Sequence, residues 1–226
     1  MWWYRTLHAR LVANLAGVGG TVLDAGCGTG GFLAALGRAR PTLIRHGLEH
    51  DPQAAVRAGR KSGAFVLCGD VNAMPYADAM FDAVISADVL CHEAVHPPRA
   101  LAEMARVLRP GGTVLINMPA YAWLMSAHDR RVHNARRVTA PLLRDWLGQA
   151  GFTGLSVGYW NTLLLPLMIA QRKLRARGGA SSDVAPFPPW LDATFHAITA
   201  AERHLPFPLP AGGSILACAH RPGDVS

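Results

Sequence analysis

Short apolar runs alternate with segments of helical periodicity along most of the chain. Each run is short enough for a strand, and the segments between them space apolar residues as amphipathic helices do. From residue 21 to residue 118 this alternation predicts parallel β-α-β units with right-handed crossovers. The first strand is predicted to end at Asp24, and the others to cover residues 43–49, 64–68, 81–86, 113–117, 155–160 and 214–220.

A glycine-rich turn follows the first predicted strand. Gly26, Gly28 and Gly30 carry no Cβ, so the backbone can turn tightly and approach a ligand closely. The helix after the turn directs free N–H groups and a partial positive charge at that ligand. Gly26, Gly28 and Gly31 also satisfy the G-x-G-x-x-G pattern of dinucleotide sites. Asp24 adds an anion beside the turn, which suits an ammonium or sulfonium group better than a pyrophosphate.

The fuller spelling of the turn resembles motif I of the class I S-adenosylmethionine (SAM) dependent methyltransferases, here Asp24-x-Gly26-x-Gly28-x-Gly30. The run Phe-Asp-Ala-Val-Ile at 81–85 is similar to motif IV of the same family. The resemblance implies an α/β, Rossmann-like fold with a seven-stranded, mostly parallel sheet and helices on both faces. It also implies SAM as the cofactor and S-adenosylhomocysteine as the product.

Acidic residues end three successive predicted strands, and the resemblance implies that they hold one cofactor. Asp24 is expected at its amine, Glu49 at the ribose diol and Asp70 at the adenine amino group. Glu49 alone does not discriminate, because a dehydrogenase also places an acid there. The further cofactor-binding positions implied are Tyr4, Arg5, Gly26, Gly28, Gly30, His50, Val71, Ala87 and Leu90.

Residues after the fifth predicted strand are expected to face the methyl acceptor, since ligands bind beyond the carboxyl ends of such strands. Residues 119–138 resemble a segment of small-molecule methyltransferases of the type-11 group, although Val138 replaces the usual tyrosine. Methyl transfer needs alignment, and a base if the acceptor is a hydroxyl. His128 with Asp129 is the best candidate base and His133 a weaker one, while a packing role for His128 stays open. No metal is expected, because the spacing of His128, Asp129 and His133 is not diagnostic of a metal site.

Two segments are predicted to cover the cofactor within a single domain of residues 1–226. One is an N-terminal helix over residues 1–17, which would bring Tyr4 or Arg5 near the cofactor carboxylate. The other is a helical insert over residues 161–213, between the last two strands, with a helix from Asn161 to Arg177 and a flexible link at residues 178–182. Because the insert is apolar, it must bury itself, and a homodimer contact or docking on a membrane surface are the alternatives to a lid.

The composition limits the classes of molecule that the protein is expected to bind. The net charge of +7 and pI near 9.8 suit nucleic acid, an anionic membrane surface or an acidic substrate. A nucleic-acid substrate is less favoured, because residues 86–92 contain neither the Pro-Pro-aromatic loop nor the Pro-Cys of nucleobase methylases. Four scattered cysteines and the lack of an apparent signal peptide predict a cytoplasmic protein with free thiols.

The sequence thus predicts a SAM-dependent methyltransferase that modifies a hydroxyl or a carbon of a small, hydrophobic metabolite, such as a natural product or a lipid-like molecule. One alternative is an enzyme of the same fold that uses bound SAM for a ring closure or elimination without methyl transfer. A second alternative is an RNA methyltransferase, drawn to its substrate by the basic charge.

Overall fold

The computed structural model describes residues 1–175, 187–205 and 208–223, without the side chains of residues 128 and 171–175. The strands are β1 (Thr21–Ala25), β2 (Ile44–Glu49), β3 (Phe65–Cys68), β4 (Phe81–Ala87), β5 (Leu108–Pro119), β6 (Thr153–Trp160) and β7 (Ser214–His220). The helices are α1 (Trp2–Asn14), α2 (Gly31–Ala39), α3 (Pro52–Ser62), α4 (Pro97–Val107), α5 (Ala127–Arg131), α6 (Ala140–Gln149), α7 (Leu165–Arg175) and α8 (Pro189–Ala201).

The seven strands form one sheet in the order β3-β2-β1-β4-β5-β7-β6. The first five strands pair in parallel, whereas β7 runs antiparallel to both β5 and β6. The chain reverses its direction of progress across the sheet between β1 and β4, and open α/β sheets bind ligands at such a point. The predicted Rossmann-like, mostly parallel sheet is confirmed.

Alternate residues of β1 face two different layers of helices. Leu23 and Ala25 belong to the core built with α4 and α6, whereas Val22 packs with α1 and α2. Because side chains alternate along a strand, Asp24 lies on the α1 side of the sheet. The carboxylate at the end of motif I therefore faces the N-terminal helix.

The N-terminal helix α1 is fixed to the sheet by an apolar stripe. Leu7, Leu11 and Leu15, spaced four residues apart, are buried. Trp3 stacks on Trp160 at the end of β6, with ring centroids 5.9 Å apart. The guanidinium of Arg10 lies 5.1 Å from the Trp160 ring, which places α1 over the carboxyl end of β6.

The predicted insert is present between β6 and β7 and contains α7 and α8. The buried carboxylate of Glu202 accepts hydrogen bonds from the backbone N–H groups of Asn161, Thr162 and Leu163, each at 2.8 Å. These bonds hold the start of the insert in a turn, with Asn161 at φ 59°. The helix predicted from residue 161 therefore begins only at Leu165. The flexible link predicted at 178–182 lies outside the described residues.

Helix α8 packs against α1 through a row of polar contacts. Arg5 donates to Asp192 at 2.7 Å, and the backbone N–H of Trp2 donates to the same carboxylate at 2.6 Å. The buried hydroxyls of Thr6 and Thr199 are 2.9 Å apart. The two segments predicted as separate covers therefore form one packed unit.

Residues 109–112, which lie before the fifth predicted strand, form an irregular part of β5. Pairing with β4 passes from Phe81–Leu108 to Ala83–Thr113, so the register shifts between these pairs. Gly111 adopts φ 76°, which only glycine takes without strain. Beyond this point β5 continues as a buried strand to the edge of the sheet where ligands are expected.

Candidate cofactor and acceptor site

The glycine turn after β1 has the left-handed backbone that its sequence predicts. Gly26, Gly28 and Gly30 adopt φ 94°, 53° and 76°. A Cβ at Gly26 would lie 2.3 Å from a methyl group of Val89, and one at Gly30 would lie 2.8 Å from the backbone of Ala58. Larger residues would therefore displace either the loop after β4 or helix α3.

Asp24 is a nearly buried carboxylate, 3% exposed, at the end of β1. Within the described part of the chain, no donor forms a hydrogen bond to it. Burial, followed by the charge of Glu49, raises the pKa of Asp24 to about 7. A buried carboxylate without a partner is costly, and a cation in contact would favour its charged form. The site therefore fits an ammonium or sulfonium group.

Glu49 connects the end of β2 to the glycine turn. One carboxylate oxygen accepts from the N–H of Gly28 at 2.7 Å, and the other accepts from the N–H of Asp51 at 3.1 Å. A carboxylate has about four acceptor positions, so capacity remains for the two hydroxyls of a ribose. His50, which follows Glu49, is exposed at the same edge of the sheet.

Asp70 lies just beyond β3 and is exposed. It accepts hydrogen bonds from the backbone and side-chain nitrogens of Asn72, both at 2.8 Å. Asn72, which the sequence analysis did not single out, in turn accepts from the N–H of His96 at 2.8 Å. This links the loop after β3 to the loop after β4. Val71 is 7% exposed and packs in the core beside them.

The loop after β4 contains a polar residue that the sequence analysis missed. Asp88 has φ 56°, and its carboxylate accepts from the side chain of Asn117 at 2.9 Å. The fully buried Asn117 accepts in turn from the indole N–H of Trp160 at 2.9 Å. Burial raises the pKa of Asp88 to about 7, although the Asn117 bond lowers it. The available signal was an acid placed directly after motif IV.

The two other predicted positions in this segment differ in exposure. Ala87, the last residue of β4, is partly buried on the α1 side of the sheet. Leu90 is fully buried in the opposite core, so its side chain does not line an open site. The role of Leu90 in cofactor binding stays a prediction without support from its placement.

Of the two predicted residues on α1, only Tyr4 is coupled to the groups at the strand ends. Burial and then the charge of Asp88 raise the pKa of Tyr4. Arg5 instead pairs with Asp192 of α8, so its predicted role at a cofactor carboxylate has no support. His8, which the sequence analysis did not select, lies against Phe32 at the start of α2, with ring centroids 5.7 Å apart. Burial and the charges of two nearby basic side chains lower the pKa of His8 to about 4.

The structure favours a packing role for Asp129 over the predicted catalytic one. Its carboxylate is 2% exposed and accepts from the N–H and hydroxyl of Ser126, from Asn134 and from Arg137. Burial alone would raise the pKa of Asp129, but these donors hold it below its ordinary value. The side chain of His128 lies outside the described residues, and His133 is exposed with φ 56°.

Three aromatic rings stack at the carboxyl ends of β5 and β6. Tyr121 lies between Trp123 and Tyr159, with ring centroids 5.5 Å and 5.3 Å apart. The Tyr159 hydroxyl accepts from the N–H of Ala140 at 3.0 Å, which fixes one end of the column. Trp123 at the other end is 63% exposed. Tyr121 and Tyr159 of this column pack against the core that contains α4 and α6. Across the described residues, no three His, Cys, Asp or Glu side chains are grouped as metal ligands.

Comparisons with known proteins agree with this geometry. The family model described as a methyltransferase domain matches residues 23–116. The chain is 36% identical over 115 residues to the "Probable tRNA methyltransferase 9B" of Mus musculus, a match that covers 50% of this chain and 24% of that protein. It is 33% identical over 168 residues to the malonyl-[acyl-carrier protein] O-methyltransferase of Serratia marcescens, covering 71% of this chain and 64% of that protein. The chain thus spans less than two thirds of either relative.

A solved structure from Thermotoga maritima, described as a SAM-dependent methyltransferase and possible histamine N-methyltransferase, superimposes with a TM-score of 0.66. The identity is 21%, and the match covers 96% of this chain and 89% of that one. At this identity the likeness shows the shared fold. Residues 23–116 therefore carry a methyltransferase domain, in a chain whose fold is shared with a solved SAM-dependent methyltransferase.

Proposed function

We propose that the protein transfers the methyl group of SAM to an oxygen or a carbon of a small, hydrophobic molecule and releases S-adenosylhomocysteine. The observation that carries this proposal is the buried carboxylate of Asp24, beside a left-handed glycine turn. A dinucleotide would place a pyrophosphate against that carboxylate, whereas SAM offers an ammonium group.

Each residue at the strand ends would bind a different part of the cofactor. Asp24 would pair with the ammonium group, and the free acceptor positions of Glu49 would receive the ribose hydroxyls. Asp70 and Val71 would lie at the adenine, where the first supplies an acceptor and the second an apolar surface. Tyr4 on α1 would cover the site from the α1 side, since its ring packs edge-on against Trp3, which stacks on Trp160.

Bound SAM supplies a methyl carbon on a sulfonium, which leaves as a neutral thioether. The protein's contribution is then mostly alignment and exclusion of water. The cover of α1 and α8 suits this, because Trp3 stacks on Trp160 and Thr6 meets Thr199 in a buried contact. A hydroxyl acceptor would also need a base, for which His128 and His133 remain sequence-based candidates.

The acceptor would lie against the column of Tyr121, Trp123 and Tyr159. Aromatic faces suit an apolar or flat molecule, and the exposed Trp123 leaves one end of the column open. The loop that presents the column is anchored by the Asp129–Arg137 ion pair at 2.8 Å. This supports a small, hydrophobic acceptor.

Calorimetric titration with S-adenosylhomocysteine tests the cofactor half of the proposal. Wild-type protein is expected to bind, and Asp24→Asn to bind at least tenfold more weakly, because the substitution removes the partner of the ammonium group. Asp145→Asn, on the exposed face of α6, is the matched control and should bind like wild type. Equal affinity for wild type and Asp24→Asn would contradict the proposal.

SAM with an isotopically labelled methyl group separates methyl transfer from ring closure or elimination. Product that carries the label supports transfer. Conversion without label in the product, with SAM recovered intact, would favour an enzyme that uses the bound sulfonium only for its charge.

Salt dependence separates a small-molecule acceptor from RNA. The basic charge and the similarity to a protein named as a probable tRNA methyltransferase make this control necessary. Binding to bulk tRNA is expected to be weak at physiological salt. Tight binding with a steep negative slope against salt would favour an RNA substrate.

The insert exposes large apolar side chains, at Leu163, Leu167 and Trp190. Their exposure favours burial against a second copy of the chain or a membrane surface. No described helix is long and apolar enough to cross a bilayer. Sedimentation velocity tests for the dimer, and flotation with anionic vesicles tests for the membrane contact. A monomeric protein that does not float with the vesicles would contradict both the dimer contact and the membrane contact.

We also propose that the protein works in the cytoplasm. All four cysteines are free thiols: Cys27, Cys68, Cys91 and Cys218. Free thiols are typical of a reducing compartment. Fractionation of cells that express the tagged protein tests this, and recovery outside the cytoplasmic fraction would contradict it.

A further inference from the structure

Asp88 lies beside the proposed cofactor site, on the side expected for the acceptor. The preceding strand, β4, lies between β1 and β5. Ile85 of β4 pairs with Asp24 of β1, and Ala87 pairs with Asn117 of β5. Asp88 follows at the carboxyl end of β4, between the strand that carries Asp24 and the strand that precedes the aromatic column. Asp88 is therefore adjacent to the proposed position of the sulfonium, at the edge of the sheet where the acceptor is expected.

The Asp88 carboxylate is directed toward the α1 side of the sheet. Its partner Asn117 is bonded to Trp160, and Trp160 stacks under Trp3 of α1. Tyr4, next to Trp3, has a pKa that responds to the charge of Asp88. The carboxylate therefore lies between the strand ends and the N-terminal helix, where the methionine part of SAM is proposed to bind.

One oxygen of Asp88 is engaged and the other is available. Oδ1 accepts from Asn117, and within the described residues no donor forms a hydrogen bond to Oδ2. The charged and titratable groups that act on this carboxylate or respond to it are Arg137, Asp129, Tyr4 and Cys91. Arg137 is bound to Asp129, so this cation does not neutralise Asp88 through a direct bond.

The backbone at Asp88 is held in place. Its N–H donates to the carbonyl of Asn117 at 2.9 Å, and its own carbonyl accepts from the thiol of Cys91 at 3.2 Å. The loop behind it is anchored by Arg136, which donates to the carbonyls of Leu90, His92 and Val95. A left-handed φ at a non-glycine residue, held from several sides, is typical of functional sites.

We propose that Asp88 is the catalytic base of this enzyme and that its acceptor is a hydroxyl compound, an alcohol or a phenol. This inference rests on the proposed methyl transfer from SAM. The acceptor oxygen attacks the methyl carbon and forms the C–O bond. The C–S bond breaks with its electron pair remaining on sulfur, which turns the sulfonium into a neutral thioether. The hydroxyl proton passes to Oδ2 of Asp88 and then to solvent.

Asp88 suits this step better than the acids and imidazoles chosen from the sequence. Asp129 is saturated by donors, whereas Asp88 keeps a free oxygen. A base works best when its pKa lies near the working pH, and that of Asp88 is raised to about 7. Asn117 orients the carboxylate through a bond that an asparagine at position 88 could also accept.

The first test uses S-adenosylhomocysteine alone, on wild type, Asp88→Asn and the control Asp145→Asn. All three are expected to bind with dissociation constants within twofold of one another. If the wild-type protein does not bind S-adenosylhomocysteine, the proposed function itself is refuted. Binding that weakens tenfold or more only in Asp88→Asn would assign Asp88 to the cofactor and overturn its role as base.

The second test follows the Asp88 carboxyl group directly. In the S-adenosylhomocysteine complex with ¹³C-labelled aspartate, the carboxyl signal that is absent from Asp88→Asn is expected to titrate near pH 7. A midpoint below pH 5 would overturn the proposal, because such a group is a poor acceptor for a hydroxyl proton.

The third test measures label transfer from methyl-tritiated SAM to a panel of phenols and primary alcohols at pH 8. Asp88→Asn is expected to reduce transfer about 100-fold, which is the usual contribution of a general base. The wild-type rate should fall below pH 7, and the residual rate of Asp88→Asn should lack that dependence. Equal transfer by both proteins, or an unchanged pH profile, would overturn the proposal.

Discussion

Four carboxylates in or near the interior of this protein divide into two kinds. Asp129 and Glu202 are surrounded by donors and hold loops together. Asp24 and Asp88 have fewer donors than acceptor positions, and burial raises the pKa of each to about 7. Unsatisfied carboxylates at adjacent strand ends cost stability, and a ligand that pairs with them would recover it.

The raised pKa values predict how the stability of the ligand-free protein depends on pH. An unfolded aspartate ionises near pH 4, well before Asp24 and Asp88 ionise in the folded protein. The folded state therefore holds more protons, and the free energy of unfolding should fall between about pH 4 and pH 7. The loss is of the order of 1 kcal/mol per pKa unit for each group.

Urea unfolding of wild type and the double variant Asp24→Asn/Asp88→Asn measures this dependence. Wild type should lose stability relative to the double variant as the pH rises from 4 to 7, and the difference should level off above that range. Asp145→Asn should follow wild type. A difference that is constant across this range would contradict the raised pKa values.

Asp129→Ala should destabilise the loop after β5 and leave the affinity for the cofactor product unchanged. The substitution leaves Arg137 buried without its ion-pair partner, which usually costs about 3–5 kcal/mol. Urea unfolding measures the loss, and S-adenosylhomocysteine should bind this variant as it binds wild type. A fully active, equally stable Asp129→Ala would contradict the packing role.

Among the structural elements, the strands of the sheet and the N-terminal helix could be predicted from hydrophobic periodicity alone. Both depend on local spacing, which a single sequence displays. The start of α7 was predicted too early, because Glu202 lies 41 residues from Asn161 in the chain and no local pattern reveals their contact. The Asp88–Asn117 bond was missed for the same reason, since it joins two strands.

The Glu202 contact predicts a specific weakness of the insert. Glu202→Gln replaces an acceptor of three backbone N–H groups and one arginine by a neutral group with a single acceptor oxygen. Hydrogen bonds to a charged group contribute about 1.5–3 kcal/mol, so a loss of that size is expected. Hydrogen exchange should quicken at residues 161–163 and in α1.

The matched control for this experiment is Asp192→Asn, at the other end of α8. Its ion pair with Arg5 is half exposed, and such pairs contribute less than about 1 kcal/mol. Slow exchange in both variants would contradict the view that Glu202 anchors the insert.

At the scale of the whole molecule, the strand order reverses between β1 and β4, where we propose that the cofactor binds, and α1 and α8 pack together as one unit. Both helical segments could be predicted from the sequence, but their contact could not, because Thr6 and Thr199 are 193 residues apart. Trp3 of this unit stacks on Trp160 at the carboxyl end of β6, beside the proposed cofactor site, so cofactor binding and the packing of α1 should be linked.

Ligand binding should therefore stabilise the protein and protect α1 in particular. At a concentration 100 times its dissociation constant, S-adenosylhomocysteine should add about 2.7 kcal/mol to the free energy of unfolding. Hydrogen exchange should slow in α1 and in residues 161–163 as well as at the glycine turn. Protection confined to the turn would show that the cover does not respond to the ligand.

The most direct test of the central claim is a crystal structure of the S-adenosylhomocysteine complex. The account predicts the ligand's ammonium nitrogen within hydrogen-bond distance of Asp24 and its ribose hydroxyls at Glu49. It also predicts a free Oδ2 of Asp88 facing the sulfur. A ligand bound elsewhere, or an Asp24 carboxylate still without a partner in the complex, would contradict it.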